Sequence, residues 1–267
     1  MFKRREIGLL LVVMLCGCSE WRKQQYEGYT EFHNAAKAGD VDELKRLLDQ
    51  GADIDQRSRS AQCTALGCAV RWKKHAAAQF LLEQGAKTSL SFRVASIRYT
   101  PFQAAARNGD ERMVRLFLPY LERIDEGMDG IYQTGNRSAF TWACSLDDLK
   151  LAEFLLESGA NINVRNWNYE GTPLILAVKD LRIDVVRFLL ENGADADLTD
   201  HQRNLSALGW ANAMLEGKFI SLSRSWGKHL GHAPAAEELE EARRVHADIV
   251  ALIKAARSAS NKITVSE

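Results

Sequence analysis

Five cysteines, six histidines and two Gly-Lys pairs are the residues with which this chain could do chemistry. Cys18 ends a segment that opens on the positive run Lys3, Arg4, Arg5, passes through an apolar stretch from Ile7 to Leu15 and narrows to small residues. That order is the layout of a secretory signal with its cleavage site. The apolar stretch is less than half of the ~20 residues needed to span a bilayer. Cys18, Cys63, Cys68 and Cys144 survive cleavage. An exported compartment permits disulfides, and Cys63 and Cys68 are close enough in sequence to pair. The alternative is two small residues packed near a helix start. His229 and His232 flank a glycine with no further ligands at metal-site spacing, so an exposed loop is the plainer reading and no metal is expected. Gly217-Lys218 and Gly227-Lys228 lack the upstream glycine and the hydroxyl of a phosphate loop, and neither a Gly-x-Ser-x-Gly elbow nor His-Glu-x-x-His occurs. Neither catalysis nor a cofactor is expected.

The four residues Leu15-Cys16-Gly17-Cys18 resemble the lipobox of bacterial lipoproteins. The resemblance implies removal of residues 1–17, acylation of Cys18 at its sulfur and new amino group, and a lipidated tether over residues 18–29. A cleaved signal whose cysteine is incidental is the alternative. Cys16 is the poorer acceptor, because bulky Leu15 precedes it. Several acyl chains on one residue anchor stably, each buried CH₂ contributing ~0.8 kcal/mol. Ser19, rather than an aspartate, follows Cys18, which by the same resemblance favours the outer membrane, facing the periplasm. From Ser19 to Tyr29 the tether reaches at most ~36 Å when extended. Cleavage takes away Lys3, Arg4, Arg5 and Glu6, a charge of +2 out of a formal +0, leaving −2. That balance does not suit nucleic acid. Acylation of Cys18 leaves an odd number of cysteines, which is no disulfide framework.

The elements that must position anything else come from a repeat. Segments beginning at Thr30, Thr64, Thr100, Ser138, Thr172 and Ser206 keep a hydroxyl first, an apolar residue third and alanine sixth, the last being Ala35, Ala69, Ala105, Ala143, Ala177 and Ala211. The hydroxyl can cap a helix. Pro101 and Pro173 fall at the first helical position, where a missing N–H costs nothing. The sixth-place alanine allows close helix approach. An apolar-periodic stretch follows in each of the first five, as in Val185, Val186, Leu189 and Leu190. Gly51, Gly85, Gly159 and Gly193 then end four of these second helices in a left-handed conformation. So small a helix pair cannot bury its own apolar face, and neighbours must stack.

Stretches such as TPLILAVKDLRIDVVRFLLENGADAD resemble the ankyrin repeat, over roughly Thr30 to Ala256. The resemblance implies an all-α solenoid of about six helix–turn–helix units with finger loops, spanning residues 30–257. The units lie near 30–63, 64–99, 100–137, 138–171, 172–205 and 206–257, the last with an insertion over 212–236. Residues 258–267 read as a frayed tail. Leu121 stands where the third unit should have its glycine, and the second and third fingers are long. The last helix resumes with Leu239, Ala242, His246, Ile249, Ile253 and Ala256 on one face. His33 takes the family's usual histidine place, where it hydrogen-bonds within the scaffold.

The family also implies a concave binding face for folded proteins, formed by the fifth, eighth and ninth places. These carry Arg71, Trp72, Arg107, Trp142, Lys179 and Trp210, while the fingers add Phe92, Arg93, Arg98, Tyr99, Trp167 and Tyr169. Trp, Tyr and Arg are the types enriched where binding energy concentrates. For Trp142 and Trp210, filling a gap between repeats is a competing reading, and for Trp72, Trp167 and Tyr169 a structural role is the alternative. The expected function is a monomeric, non-enzymatic protein binder on the periplasmic side of the bacterial envelope, held to the membrane only by its lipid. Ankyrin lipoproteins of this kind include immunity proteins that block toxic secreted enzymes such as lipases. A scaffold or chaperone-like factor for an exported enzyme or envelope process is the alternative.

Overall fold

At each repeated hydroxyl a short helix begins. The computed structural model describes residues 28–59, 62–94, 97–125, 137–166, 171–216 and 236–264. Among these the first helices are α1 (Glu31–Ala38), α3 (Ala65–Arg71), α5 (Pro101–Arg107), α7 (Ala139–Ser145), α9 (Pro173–Lys179) and α11 (Ala207–Leu215). Their partners are α2 (Val41–Asp49), α4 (His75–Glu83), α6 (Glu111–Phe117), α8 (Leu149–Glu157), α10 (Ile183–Glu191) and α12 (Ala236–Thr264). Thr64, Thr100, Ser138, Thr172 and Ser206 each accept, through the side-chain oxygen, the N–H of the residue three positions on, at 3.1–3.4 Å. Four glycines end second helices with φ of 89, 84, 94 and 83° at Gly51, Gly85, Gly159 and Gly193. The tenth place, in the turn between paired helices, also needs the left-handed region. Gly39 and Gly109 supply it freely, whereas Lys73, Asp147 and Leu181 adopt φ of 53, 57 and 59° against their steric preference.

The chain divides into two compact units, Met1–Ala105 with Arg112–Leu121, and Ala106–Glu111 with Glu122–Glu267. In the first, α1 packs on α2 and α3, and α4 on α2 and α3. Phe102 and Phe117 meet with ring centroids 6.1 Å apart. In the second, α7 packs on α8 and α9, α9 on α10 and α11, and α12 on α10 and α11. The sixth-place alanines are all buried. Side chains on one finger accept a backbone N–H from the next: Asp55 from Lys87 at 3.0 Å in the first unit, Asp125 from Asn161 and Asn163 from Asp195, both at 2.9 Å, in the second.

The second finger is not a plain loop. It forms an antiparallel hairpin of β1 (Phe92–Val94) and β2 (Ile97–Tyr99), with Phe92 opposite Tyr99 and Arg93 opposite Arg98. Phe92 and Tyr99 are buried, at 0% and 1% exposure, so they anchor the finger and are not the contact residues expected of them. In a two-stranded ribbon with period-two alternation, one aromatic face must go inside. The expected frayed tail is helical as far as Thr264, because α12 continues past its buried Ile249 and Ile253. A short 3-10 turn, Leu118–Tyr120, ends the third second-helix, which lacks its glycine. Most of the expected insertion and the third finger fall outside the described residues.

His33 is a scaffold histidine, fully buried. Its Nε2 faces the carbonyls of Gln56 at 3.0 Å and Cys63 at 2.8 Å, which assigns the proton there. Nδ1 then accepts from the Thr30 N–H at 3.3 Å and hydroxyl at 2.8 Å. Burial lowers its pKa below 6.5, a shift the two carbonyls oppose in part. The neutral form is the one the fold holds. His33 therefore contributes stability that is complete above pH ~6.5 and lost as pH falls through the lowered folded value. Thermal melts from pH 7.5 to 5 should show this loss, and His33→Gln should flatten it; an identical pH slope in both proteins would exclude the assignment.

Candidate protein-binding surface

Counting the hydroxyl as one, the eighth place holds Lys37, Arg71, Arg107, Ser145 and Lys179 in the first five repeats. A long cation there is well placed to lie along a neighbouring ring, since a helical side chain covers the surface beside its own turn. In the first unit Lys37 Nζ and Arg71 Cζ each sit 4.8 Å from the Trp72 ring centroid. Tyr29 meets the same indole edge-on at 6.3 Å. Trp72 is half-buried and Arg71 exposed.

The second unit repeats the arrangement. Arg107 lies 5.5 Å and Arg137 5.3 Å from the Trp142 ring. Lys179 lies 4.6 Å and Arg203 5.7 Å from that of Trp210. Ser145 breaks the eighth-place pattern, yet Arg137 donates to its Oγ at 2.8 Å, so a guanidinium reaches the place that the sequence leaves to a hydroxyl. Such cation–ring contacts contribute about 0.5–1 kcal/mol each when exposed. Leu146, at the ninth place, is exposed beside Trp142.

The two fifth-place tryptophans differ. Trp142 is half-buried. Trp210 is only 5% exposed and donates its indole N–H to the buried carboxylate of Asp200 at 2.5 Å. Asp200 also accepts the Arg203 N–H at 2.8 Å. Trp210 is thus a packing residue, which corrects its expected place among the contacts. On the finger, Arg93 is exposed and stands opposite Arg98. Trp167, Tyr169 and Cys18 lie outside the described residues.

Sequence reasoning missed Tyr29, Lys37, Arg137 and Arg203. The eighth-place periodicity already contained Lys37. Nothing in the spacing marks Arg137, which stands before its hydroxyl and folds back. Among the described residues no group of three His, Cys, Asp or Glu side chains could hold a metal ion, and no helix is long and apolar enough to cross a membrane. The groove between α7 and α9, edged by Asp180 and the Arg182–Asp147 ion pair, has no room for a water molecule, so it offers no small-molecule site.

The buried and half-buried tryptophans should separate in urea unfolding followed by helical circular dichroism. Trp210→Ala should cost about 3–5 kcal/mol, because it opens a cavity and strands Asp200. Trp72→Ala should cost about 1 kcal/mol. Equal losses would mean that Trp72 is core as well.

Family models described as ankyrin repeats match residues 4–92, 89–166 and 155–208. A curated relative, the putative ankyrin repeat protein YahD of Escherichia coli (strain K12), is 31% identical over 172 residues, covering 62% of this chain and 81% of YahD. Human neurogenic locus notch homolog protein 1 is 32% identical over 161 residues, 60% of this chain but 6% of that protein. Among solved structures, an ankyrin repeat domain from Acinetobacter baumannii AYE aligns with a TM-score of 0.60 at 22% identity, covering 84% of this chain and 96% of that one. The ankyrin repeat domain of Bcl-3 aligns at 0.59 and 22%, covering 82% and 99%. Identity this low bears on fold alone, and the fold is the all-α ankyrin solenoid.

Proposed function

Since the chain belongs to the ankyrin-repeat family, whose repeats are protein–protein interaction modules, we propose that it is a membrane-tethered, non-enzymatic binding protein of the bacterial periplasm, and more specifically an immunity-type inhibitor of a toxic secreted enzyme such as a lipase effector. One observation carries the binding part of this reading. Half-buried indoles, at places the ankyrin resemblance turns to the concave side, each have two cations within ~6 Å of the ring, in both compact units. A ring beneath a long cation restricts its motion before any partner arrives, so less entropy is lost on docking. Trp and Arg are also the types whose truncation costs most at interfaces, commonly ~2 kcal/mol or more.

The envelope part rests on the signal-like segment ending at Cys18. A lipid on Cys18 with a tether of at most ~36 Å holds an inhibitor where a membrane-attacking enzyme works. Cells fed a palmitate analogue should label the wild-type chain and not Cys18→Ala, and the mutant should move to the soluble periplasmic fraction. Equal label in both would remove the anchor from this reading.

The partner can be caught where it docks. A photo-crosslinking phenylalanine derivative at Trp142 should capture a protein in living cells, and the same group at exposed Arg187 on α10 should not. The captured protein should be an exported enzyme whose activity falls when this chain is added. Capture only from Arg187 would move the site to the outer helices. An enzyme made more active by the chain would instead favour the assembly-factor alternative.

A further inference from the structure

Cys63 and Cys68 are held sulfur to sulfur inside the first unit. Their Sγ atoms lie 3.5 Å apart, and both residues are fully buried. The frame around them is rigid. The Cys63 N–H donates to the Ser58 hydroxyl at 3.0 Å, and its carbonyl accepts the Ser58 N–H at 2.8 Å and the His33 Nε2 at 2.8 Å. Cys68 sits within α3, its N–H bonded to the Thr64 carbonyl at 2.9 Å. With both backbones fixed in this way, the approach of the sulfurs is set by side-chain rotation alone. Gly67 keeps the space open. A Cβ there would come within 2.9 Å of Cys63 Sγ and 2.9 Å of the Phe92 ring.

We propose that Cys63 and Cys68 are joined by a disulfide in the exported protein. Occurrence in the cell rests on the export reading above; the chemistry of the pair does not. Closing the bond brings the sulfurs from contact to ~2.05 Å, a movement within reach of two side chains already facing each other. Folded, the pair is sealed off, and the thiol of Cys68 is pushed up by its neighbour and by burial, so thiolate is scarce. The bond therefore forms while the chain is still unfolded and both thiols ionise near ~8.5. One chain thiolate attacks the disulfide of a thioredoxin-like oxidase and releases one of its sulfurs. The second chain thiolate attacks the mixed disulfide, forms the Cys63–Cys68 bond and frees the oxidase as a dithiol. Two electrons pass to the oxidase, and the two thiol protons end on its sulfurs.

The pairing also completes the cysteine count. With Cys18 acylated, Cys144 alone remains, buried in the second unit with its thiol pushed up to about 12, where it is inert. The bond would tie the entry of α3 to its middle, next to the His33 link that joins the first two repeats.

The test traps thiols in cells with acid, denatures the full chain, and alkylates it with one reagent before reduction and a second after. Both Cys63 and Cys68 should carry the second reagent, and Cys144 the first. The first reagent on all three, in a chain shorn of residues 1–17, overturns the proposal. If residues 1–17 are still present, the export reading has failed instead, and the pair is judged in vitro. Full chain refolded in detergent with glutathione disulfide should then regain its helical spectrum with the Cys63–Cys68 bond closed. It should melt ~2–4 °C above the reduced form. A chain that folds only with both thiols free overturns the proposal.

Discussion

A pair of helices seven and nine residues long has no inside of its own. Every apolar side chain on α3, α4, α9 or α10 must be covered by the next pair, so the whole architecture depends on how closely first helices approach. Alanine at the sixth place sets that approach, and it is buried in all six repeats. Close approach has a polar corollary. Helix starts buried by their neighbours cannot turn to water for their free N–H groups, so the hydroxyl caps become obligatory. Thr64, Ser138 and Thr172 are each about 1% exposed, yet each is satisfied within its own turn.

The sequence was most legible where this constraint repeats. Hydroxyl, alanine and helix-ending glycine recur at fixed places, and helices begin and end on them. His33 was readable only through the ankyrin resemblance, which keeps a scaffold histidine at the fourth place; the structure shows it reaching both its own cap and the next turn. Legibility fails where a residue acts outside the repeat. Arg137 serves the eighth place of its repeat from a position before the hydroxyl. Phe92 and Tyr99 read as surface aromatics because nothing in their spacing marks the long second finger as a pair of strands. Pairing as β1 and β2 gives the finger an inside and turns them into core.

Trp142 and Trp210 show a subtler limit. Both stand at the fifth place, and both carry two cations on the ring. What separates them is a carboxylate ten residues away in sequence from Trp210. Asp200 accepts the indole N–H and draws that ring inward. Type and spacing alone cannot distinguish an indole offered to a partner from one bonded to an internal acid; the finger preceding the helix decides.

The cation-bracketed ring bears on stability and binding in opposite ways. Two positive groups on one indole repel each other, so part of the ~0.5–1 kcal/mol of each contact is cancelled. If packing were the only requirement, an aliphatic residue would cover the Trp72 or Trp142 face without that repulsion. Within each unit, then, positive charge gathers around rings at places that the ankyrin resemblance assigns to the concave face.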